Sequence, residues 1–218
     1  MCGIAGCFNI KNSEIDGIEN HLNIMSGLIE HRGPDGDGSW IHESKKVGFT
    51  HRRLSVIDLS KNASQPMKAT DGNVITFNGE IYNYKEIRRT LGSTWQYTTD
   101  SDTEALLSAY SKYDTDCLDH LRGMFAFSIW DEKKKSLFCA RDRFGIKPFY
   151  YCVLGDKFYF ASEAKALLPF LNEIRTNKSA LAEYITFQYT IGEKTLFSGI
   201  KQLLPGHAIK IENGKLKI

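Results

Sequence analysis

Strand-like runs follow one another from Met124 to Ala161 with only short turns between them, and this block most constrains the fold. The runs are rich in β-branched and aromatic residues, and lysine- and glycine-rich turns separate them. They cover Met124–Asp131, Ser136–Arg141, Phe149–Val153 and Lys157–Ala161. Because parallel neighbours would need long crossover connections, the short turns predict an antiparallel meander.

The residues before this block predict further strands and a helix. Apolar side chains recur between Ile18 and Ile29 at the spacing of one helical face, and this helix is expected to end near His31. Segment 32–38 holds three glycines and a proline, a composition that predicts a loop. Strands are predicted at Gly3–Asn9, Ser39–Ile41 and Val47–Arg52, and a polar loop is predicted to run to Pro66.

Two local signals predict a turn and a helix start. Asn78-Gly79 separates the runs Val74–Phe77 and Glu80–Tyr82, and since both residues tolerate positive φ, the pair predicts a hairpin turn. Ser101 and Glu104 have the spacing of a capping box, in which each side chain accepts a hydrogen bond from the other residue's amide. Helices are predicted at Asn83–Leu91, from Ser101 through Tyr110, near Glu163–Leu168 and at Ser179–Phe187.

Helices and antiparallel strands thus occur in blocks, which favours an α+β fold over a doubly wound sheet. The last predicted strand, His207–Glu212, precedes an Asn213-Gly214 turn, and the sequence stops four residues after that turn. Since a natural domain rarely ends inside a returning strand, we expect this sequence to be the N-terminal piece of a longer protein.

The composition argues against several classes of partner. The 218 residues are 42% hydrophobic and 25% charged with a net charge of +2, which is typical of a soluble protein without a basic face for nucleic acid. No apolar run approaches the roughly 18 residues of a membrane span, and the N-terminus lacks the regions of a secretory signal. We therefore predict a cytoplasmic protein with neither a nucleic acid nor a membrane partner.

The cysteines and histidines predict neither a disulfide framework nor a metal site. The five cysteines are odd in number, and no two have the Cys-x-x-Cys spacing. The six histidines show no metal-ligand spacing, and no glycine-rich phosphate loop is present. We expect a domain in a reduced compartment that needs neither a metal ion nor ATP.

Cys2 stands directly after the initiator methionine, and this position gives it a candidate catalytic role. If Met1 is removed, Cys2 carries both a nucleophilic thiol and an α-amine whose pKa of roughly 7.7–8.0 lets it act as a base near neutral pH. The nucleophile and its base would then belong to one residue. The alternative interpretation is an accident of position.

Seven motifs in order along the chain carry a family resemblance. They are MCGIAG at 1–6, HRGPDGDG at 31–38, HRRLSVID at 51–58, FNGEIYNY at 77–84, SDTE at 101–104, GMFAF at 123–127 and ARDRFGIKPFYY at 140–151. With them the chain resembles class II glutamine amidotransferases, and most closely the N-terminal glutaminase domain of glutamine-dependent asparagine synthetases. The resemblance implies an N-terminal-nucleophile hydrolase sandwich, two stacked antiparallel β-sheets flanked by helices (αββα).

The resemblance also implies a domain boundary. A type 2 glutamine amidotransferase domain would cover residues 1–208, where LLPGH at 203–207 is similar to the segment that links to the synthetase domain. Residues 209–218 would then start the connection to a C-terminal synthetase domain that is absent from this sequence.

Roles for the matching residues follow from the same resemblance. Cys2 would be the nucleophile, and the side-chain amide of Asn78 with the backbone N–H of Gly79 would hold the oxyanion. The substrate-binding residues would be Arg53, Leu54, Val56, Glu80 and Asp102. The arginine would bind the α-carboxylate of glutamine through two parallel hydrogen bonds, and the acidic residues would bind its ammonium group.

Other interpretations of these motifs stay open. Asn78-Gly79 could be a hairpin turn alone, and Asp102 could merely complement the positive end of its helix. Arg52 faces away from Arg53 on a strand and is predicted to be a solvated charge. Scaffolding roles are predicted for Arg32, Asp35, Arg141 and Lys147.

The implied function is hydrolysis of L-glutamine to glutamate and ammonia through a γ-glutamyl thioester, with no cofactor for this step. The ammonia would serve synthesis of asparagine from aspartate in the missing synthetase domain, where ATP and Mg²⁺ are expected. The alternatives are an amidotransferase that aminates a sugar or another carboxylate, and a non-catalytic regulatory domain. The partners implied are L-glutamine and the synthetase domain of the same chain, and a homodimer is left open.

Overall fold

The computed structural model describes residues 1–58 and 60–218, which form two stacked antiparallel sheets with helices on both outer faces. Leu59, within the predicted polar loop that runs to Pro66, lies outside the described residues. The strands are β1 (Gly3–Asn9), β2 (Gly36–Ile41), β3 (Val47–Arg53), β4 (Met67–Lys68), β5 (Val74–Ile81), β6 (Gly123–Asp131), β7 (Ser136–Arg141), β8 (Tyr150–Leu154), β9 (Lys157–Ala161), β10 (Lys201–Gln202), β11 (Ala208–Glu212) and β12 (Lys215–Lys217). The helices are α1 (Ile18–Leu28), α2 (Tyr84–Leu91), α3 (Asp102–Tyr113), α4 (Cys117–His120) and α5 (Lys178–Phe187).

Within the described residues each sheet has six strands. The order is β10-β8-β9-β1-β3-β2 in the first sheet and β12-β11-β7-β6-β5-β4 in the second. β1 therefore lies inside the first sheet between β9 and β3, and β5 lies beside β6 in the second. β1 is thus paired on both edges, whereas β5 pairs with β6 along its whole length and with β4 only at Val74 and Ile75.

Apolar side chains fill the space between the sheets and the space under the helices. Phe49 and Phe160 of the first sheet pack with Trp130 of the second in the central cluster. Leu22 of α1 belongs to the cluster on the outer face of the first sheet, and Leu106 of α3 belongs to the cluster on the outer face of the second. The predicted α+β sandwich is confirmed.

The predicted meander is wrong as a single sheet. β6 and β7 pair with each other in the second sheet, whereas β8 and β9 pair in the first. β9 instead finds its second neighbour in β1, with Gly6 opposite Phe160. The connection after Arg141 therefore crosses from one sheet to the other, and local sequence carries no signal for that change.

The predicted hairpin at Asn78-Gly79 is also wrong. β5 continues through both residues and pairs with β6, with Asn78 opposite Ala126 and Gly79 opposite Phe125. A Cβ atom at position 79 would lie 2.2 Å from the carbonyl oxygen of Met124, so glycine is needed there for close strand approach and not for a turn. The second Asn-Gly pair, Asn213-Gly214, does form the predicted turn between β11 and β12, with both φ angles positive.

Other local predictions need smaller corrections. β2 begins at Gly36, inside the predicted loop, because residues 36–41 pair with β3. Gly38 lets the carbonyl oxygen of Gln65 approach to 2.2 Å from where a Cβ would be. The helix predicted near Glu163–Leu168 is a pair of short 3-10 turns. Helix α3 starts as predicted, with Ser101 Oγ accepting from the Glu104 amide at 3.2 Å. The Glu104 carboxylate does not return this bond to Ser101 and accepts from the amides of residues 98 and 99.

None of the helices in the described part of the chain has the length and apolarity that a bilayer crossing demands.

Candidate active site

A cavity of about 270 Å³ opens where the central core reaches the end of both sheets. Its wall contains every residue predicted for the site, namely Cys2, Arg53, Leu54, Val56, Asn78, Gly79, Glu80 and Asp102. Cys2 directly precedes β1, Arg53 ends β3, Asn78 lies in β5 and Asp102 starts α3. The two sheets therefore bring together residues that are far apart along the sequence.

Strand periodicity explains why these side chains share one space. Alternate residues of a strand face the same side, and Ile4, Phe49 and Val74 all belong to the core cluster between the sheets. Steps of two residues along each strand lead from these core residues to Cys2 before β1, to Arg53 at the end of β3, and to Asn78 in β5. The cavity is the polar end of the layer that forms the apolar core.

The thiol of Cys2 is held close to the backbone that follows β3. Its Sγ lies 3.4 Å from the amide nitrogen of Leu54 and 3.5 Å from the carbonyl oxygen of the same residue. The carbonyl oxygen of Cys2 accepts a hydrogen bond from Nε of Arg32 at 2.9 Å. Burial raises the pKa of the Cys2 thiol, while the Leu54 bond and the charges of the chain N-terminus, Arg53 and Lys147 act in the opposite direction.

Asn78 presents a buried amide nitrogen that has no partner among the described residues. Its side chain belongs to a residue that is 1% exposed, and its Nδ2 donates to no atom of the described residues. A buried donor left unpaired costs about 1–3 kcal/mol. The site therefore holds a hydrogen-bond donor that a ligand atom in the cavity can satisfy.

Arg53 lies at the mouth of the cavity and anchors the following loop. Its Nη1 donates to the carbonyl oxygen of Ser60 at 2.9 Å, and its Nη2 donates to the carbonyl oxygen of Asp58. A guanidinium has five N–H groups, so the remaining groups can bind a carboxylate. Val56, in the same loop, is largely exposed and covers one side of the opening.

Asp102 provides a buried carboxyl group in the cavity wall. Its Oδ2 accepts a hydrogen bond from the amide of Ile81 at 2.9 Å. Burial raises its pKa from 3.8 to about 6, three backbone amides act in the opposite direction, and the negative charge of Glu80 adds to the increase. Two carboxyl groups beside one cavity form an anionic end that suits an ammonium group.

The cavity also contains polar residues that were not predicted for it. His51 lines it two residues before Arg53 on β3, and the alternation of strand faces could have identified this histidine. Gln65 bridges two elements, accepting from the amide of Phe77 at 2.6 Å and donating to Oγ1 of Thr103 at 3.2 Å. No sequence signal marks this glutamine, which comes from an irregular segment.

The cationic residues of the motifs differ in their surroundings. Lys147, predicted to be scaffolding, is 6% exposed and lies in the cavity wall, so that prediction was incomplete. The prediction for Arg52 is wrong, because its Nε donates to Oγ of Ser26 at 2.8 Å and its side chain is only 18% exposed. Arg141 donates to three carbonyl oxygens and fits the scaffolding role.

Asp35 and Arg32 support the two segments that hold the thiol. Asp35 accepts from the amide of Ser55 at 2.8 Å, and Arg32 forms an ion pair with Glu163 at 3.0 Å while it binds the carbonyl of Cys2. Among the described residues, no three histidine, cysteine or acidic side chains are placed to hold a metal ion.

Comparisons with known proteins agree with this geometry. A family model for the glutamine amidotransferase domain matches residues 1–218. Asparagine synthetase [glutamine-hydrolyzing] 1 of Bacillus subtilis is 44% identical over 214 residues, which are 97% of this chain and 33% of the relative. Asparagine synthetase [glutamine-hydrolyzing] 3 of the same organism is 38% identical and is matched over 36% of its length. The protein Amidase chry2 of Gibberella zeae is 34% identical, over 95% of this chain and 32% of its own.

This chain thus spans about a third of the length of these relatives. Among solved structures, the glutamine phosphoribosylpyrophosphate amidotransferase of B. subtilis superposes with a TM-score of 0.69 at 18% identity, covering 99% of this chain and 48% of the other. The structure described as the allosteric regulatory enzyme of purine biosynthesis gives 0.72 at 18% identity with the same coverage. These likenesses show the fold, the sandwich of the N-terminal-nucleophile amidotransferases, and the family match over the whole chain shows that it belongs to the glutamine amidotransferase domain family.

Proposed function

We propose that this domain hydrolyses the side-chain amide of L-glutamine with Cys2 as the nucleophile. One observation carries the proposal: Cys2 and Asn78 line the same cavity from different sheets, and the buried Nδ2 of Asn78 has no partner in the part of the chain that the structure describes. An acyl-transfer site needs a nucleophile together with a donor for the oxyanion that forms next to it. The resemblance in sequence motifs and the family match support the same reaction.

The reaction divides between the residues of the cavity. After removal of Met1, the amine of Cys2 takes the thiol proton, and the sulfur attacks the amide carbon of glutamine. The tetrahedral oxyanion accepts hydrogen bonds from Asn78 Nδ2 and the amide of Gly79. The proton passes to the leaving nitrogen, ammonia departs, and water then hydrolyses the thioester to glutamate and the free thiol.

The amino-acid end of the substrate is bound at the two charged walls. Arg53 binds the α-carboxylate, and Asp102 with Glu80 binds the ammonium group, because each pairing joins opposite charges in a partly desolvated site. Leu54 and Val56 border the substrate on the side of the loop. This division predicts that the charged residues control KM while the oxyanion donors control kcat.

The parent protein, in this proposal, uses the ammonia in a synthetase domain of the same chain that needs ATP and Mg²⁺ and converts aspartate to asparagine. The names of the two B. subtilis relatives support this acceptor. A sugar or another carboxylate as acceptor is the second candidate, and the differently named fungal relative favours keeping it. We place the protein in the cytoplasm, and the proposal does not require a homodimer.

The proposed function is tested by glutamate release from L-glutamine by the purified chain. Cys2→Ala is expected to abolish release, whereas Cys7→Ala, which removes a buried thiol on the outer face of β1, is expected to keep it. A glutamine analogue with a diazoketone in place of the amide is expected to modify Cys2 alone. A folded chain that neither releases glutamate nor reacts with the analogue would support the non-catalytic alternative.

Arg53→Ala is expected to raise KM for glutamine about 10–100-fold with little change in kcat, since a charge-assisted hydrogen bond is worth about 1.5–3 kcal/mol. Initial rates at varied glutamine concentration measure this. Arg52→Ala is the matched control on the opposite face of β3, and it is expected to lower the melting temperature without changing KM.

Arg53→Ala removes two kinds of contact, those to the loop and the one to the α-carboxylate of glutamine. A second substrate distinguishes between them. 4-Aminobutanamide is glutamine without its α-carboxylate, and wild type is expected to prefer glutamine strongly over it. The preference is expected to vanish in Arg53→Ala. A variant that keeps this preference would show that the carboxylate binds elsewhere.

KM for glutamine is expected to rise about tenfold per pH unit below about pH 6, because protonation of Asp102 removes the charge that attracts the ammonium group. Asp102→Asn is expected to have a raised KM that no longer varies over this range. Rates from pH 5 to 8 measure both. Equal pH dependence in the two proteins would contradict the assignment.

The stability of the unliganded domain gives a second test of Asp102. The pKa of Asp102 is 3.8 in the unfolded chain and about 6 in the folded domain, so the folded domain holds this proton more tightly. The contribution of the proton to the free energy of unfolding is therefore complete below pH 3.8 and is lost as the pH rises through about 6. Asp102→Asn is therefore expected to unfold with a higher free energy at pH 8, by up to about 3 kcal/mol. A residue that only complemented its helix end would show the opposite sign.

A further inference from the structure

His51 is a buried histidine that contacts both halves of the cavity. It is 1% exposed, it lies in β3 of the first sheet, and it lines the same cavity as Cys2 and Asn78. Its Nε2 is 3.2 Å from the carbonyl oxygen of Phe77 in β5 of the second sheet. The contact therefore joins the two sheets beside the proposed reaction centre.

The partners of the ring define its tautomer. A carbonyl oxygen only accepts hydrogen bonds, so Nε2 must carry the proton that it donates to Phe77. Nδ1 is buried and has no partner in the described residues, so nothing there competes for the proton. Burial also lowers the pKa of His51 to about 4; the bond to Phe77 acts in the opposite direction, and the nearby charge of Arg53 adds to the decrease. The ring is neutral, and its one N–H group, at Nε2, points to the carbonyl oxygen of Phe77 in the other sheet.

The strands on both sides of this bond carry the catalytic groups. His51 pairs with Ile4 in β1, two residues after Cys2, and Phe77 is the residue before Asn78. The His51 bond is thus a side-chain contact between the strand next to that of the proposed nucleophile and the strand of the proposed oxyanion donor. A shift of one sheet against the other would change the distance between the thiol and the Asn78 amide directly.

We propose that His51 is a positioning residue for amide hydrolysis: as a neutral ring protonated on Nε2, it sets the spacing between Cys2 and Asn78 across the two sheets. The proposal rests on the proposed glutaminase function for its kinetic consequences. It does not rest on that function for the tautomer. His51 acts through Phe77 and contacts no reacting atom in this role.

Replacement of His51 by phenylalanine removes the donor and keeps a ring of similar size. His51→Phe is expected to lower kcat about 10–100-fold, because a displacement near 1 Å has effects of that order, while KM for glutamine changes little. His51→Gln places an amide donor within reach of the same carbonyl oxygen. It is expected to recover most of kcat, to within about tenfold of wild type.

The chain offers a matched control one residue away. Thr76 Oγ1 in β5 donates to the carbonyl oxygen of Thr50 in β3 at 3.4 Å, a second bond between the same two strands. Thr76→Val removes it and is expected to lower the melting temperature without lowering kcat. An equal kcat loss in Thr76→Val would overturn the specific role of His51, as would a folded His51→Phe with wild-type kcat.

The tautomer is tested without any turnover. Nitrogen-15 NMR of the six histidine side chains at pH 7 is expected to show that the ring whose signals disappear in His51→Phe is neutral and protonated on Nε2. A charged ring, or one protonated on Nδ1, would overturn the proposal. If wild type releases no glutamate while the ring has the expected tautomer, the glutaminase function fails and the cross-sheet contact stands.

Discussion

A chain that retains Met1 is expected to hydrolyse glutamine about 10²–10⁴-fold more slowly than a chain that begins at Cys2, which is the usual contribution of a positioned base. With Met1 attached, the nitrogen of Cys2 is a peptide amide whose lone pair is delocalised, so it cannot accept a proton. Burial raises the pKa of the Cys2 thiol, so few molecules carry the thiolate at neutral pH without help. The free amine supplies that help from the same residue.

Intact mass and turnover on one preparation test this expectation. Active protein is expected to lack the mass of one methionine residue, and its rate is expected to fall as the pH drops through roughly 7.7–8.0, the range of an α-amine. A chain with one glycine left before Cys2 by tag cleavage is the matched control, since it keeps the thiol and blocks the amine. Full activity in a homogeneous sample that still carries Met1 would show that the base is another group.

Asn78→Ala is expected to lower kcat about 10²–10³-fold with KM for glutamine nearly unchanged. The amide of Asn78 has no partner among the described residues of the unliganded domain, so its hydrogen bond forms only with a group in the cavity. In the proposed reaction that group is the oxyanion, which exists in the transition state and not in bound glutamine. An interaction of this kind affects kcat and leaves substrate binding alone.

Asn73 provides the control for Asn78. It is another buried asparagine, one residue before β5, but its Nδ2 already donates to Asp71 and Ser111 outside the cavity. Asn73→Ala is expected to lower stability and to keep kcat. Steady-state kinetics and thermal melting on both variants distinguish the two cases, and a kcat loss below about threefold in Asn78→Ala would remove it from the oxyanion site.

The residues that line the cavity could be named from sequence because each of their motifs is a short local stretch of the chain, while their roles stay predictions. The cavity that gathers them depends on pairings between distant segments, such as β1 with β9 and β5 with β6. Asn78-Gly79 illustrates the limit. The pair has strong local turn chemistry, yet the edge of β6 fixes it in an extended strand, where glycine is required by the carbonyl of Met124.

The residues that prediction missed are those whose contacts come only from tertiary structure. His51 acquires its partner from another sheet, and Gln65 acquires its partners from a strand and a helix that are distant in sequence. Which sheet receives β8 and β9 was likewise not readable from their own sequence, since any pleated apolar surface suits them equally. Alternation along β3 was the one available signal, and it would have added His51 to the site.

The placement of β1 between β3 and β9 has a consequence for the order of events during synthesis. Residues 157–161 form the second edge that holds the strand after Cys2, and they leave the ribosome long after the first residues do. Until they emerge, β1 has only β3 as a strand partner and its other edge is open. The strand after Cys2 therefore gains its second neighbour only when about three quarters of this sequence has been made. In the proposed reaction, a chain that lacks residues 157–161 is therefore expected to release no glutamate from L-glutamine.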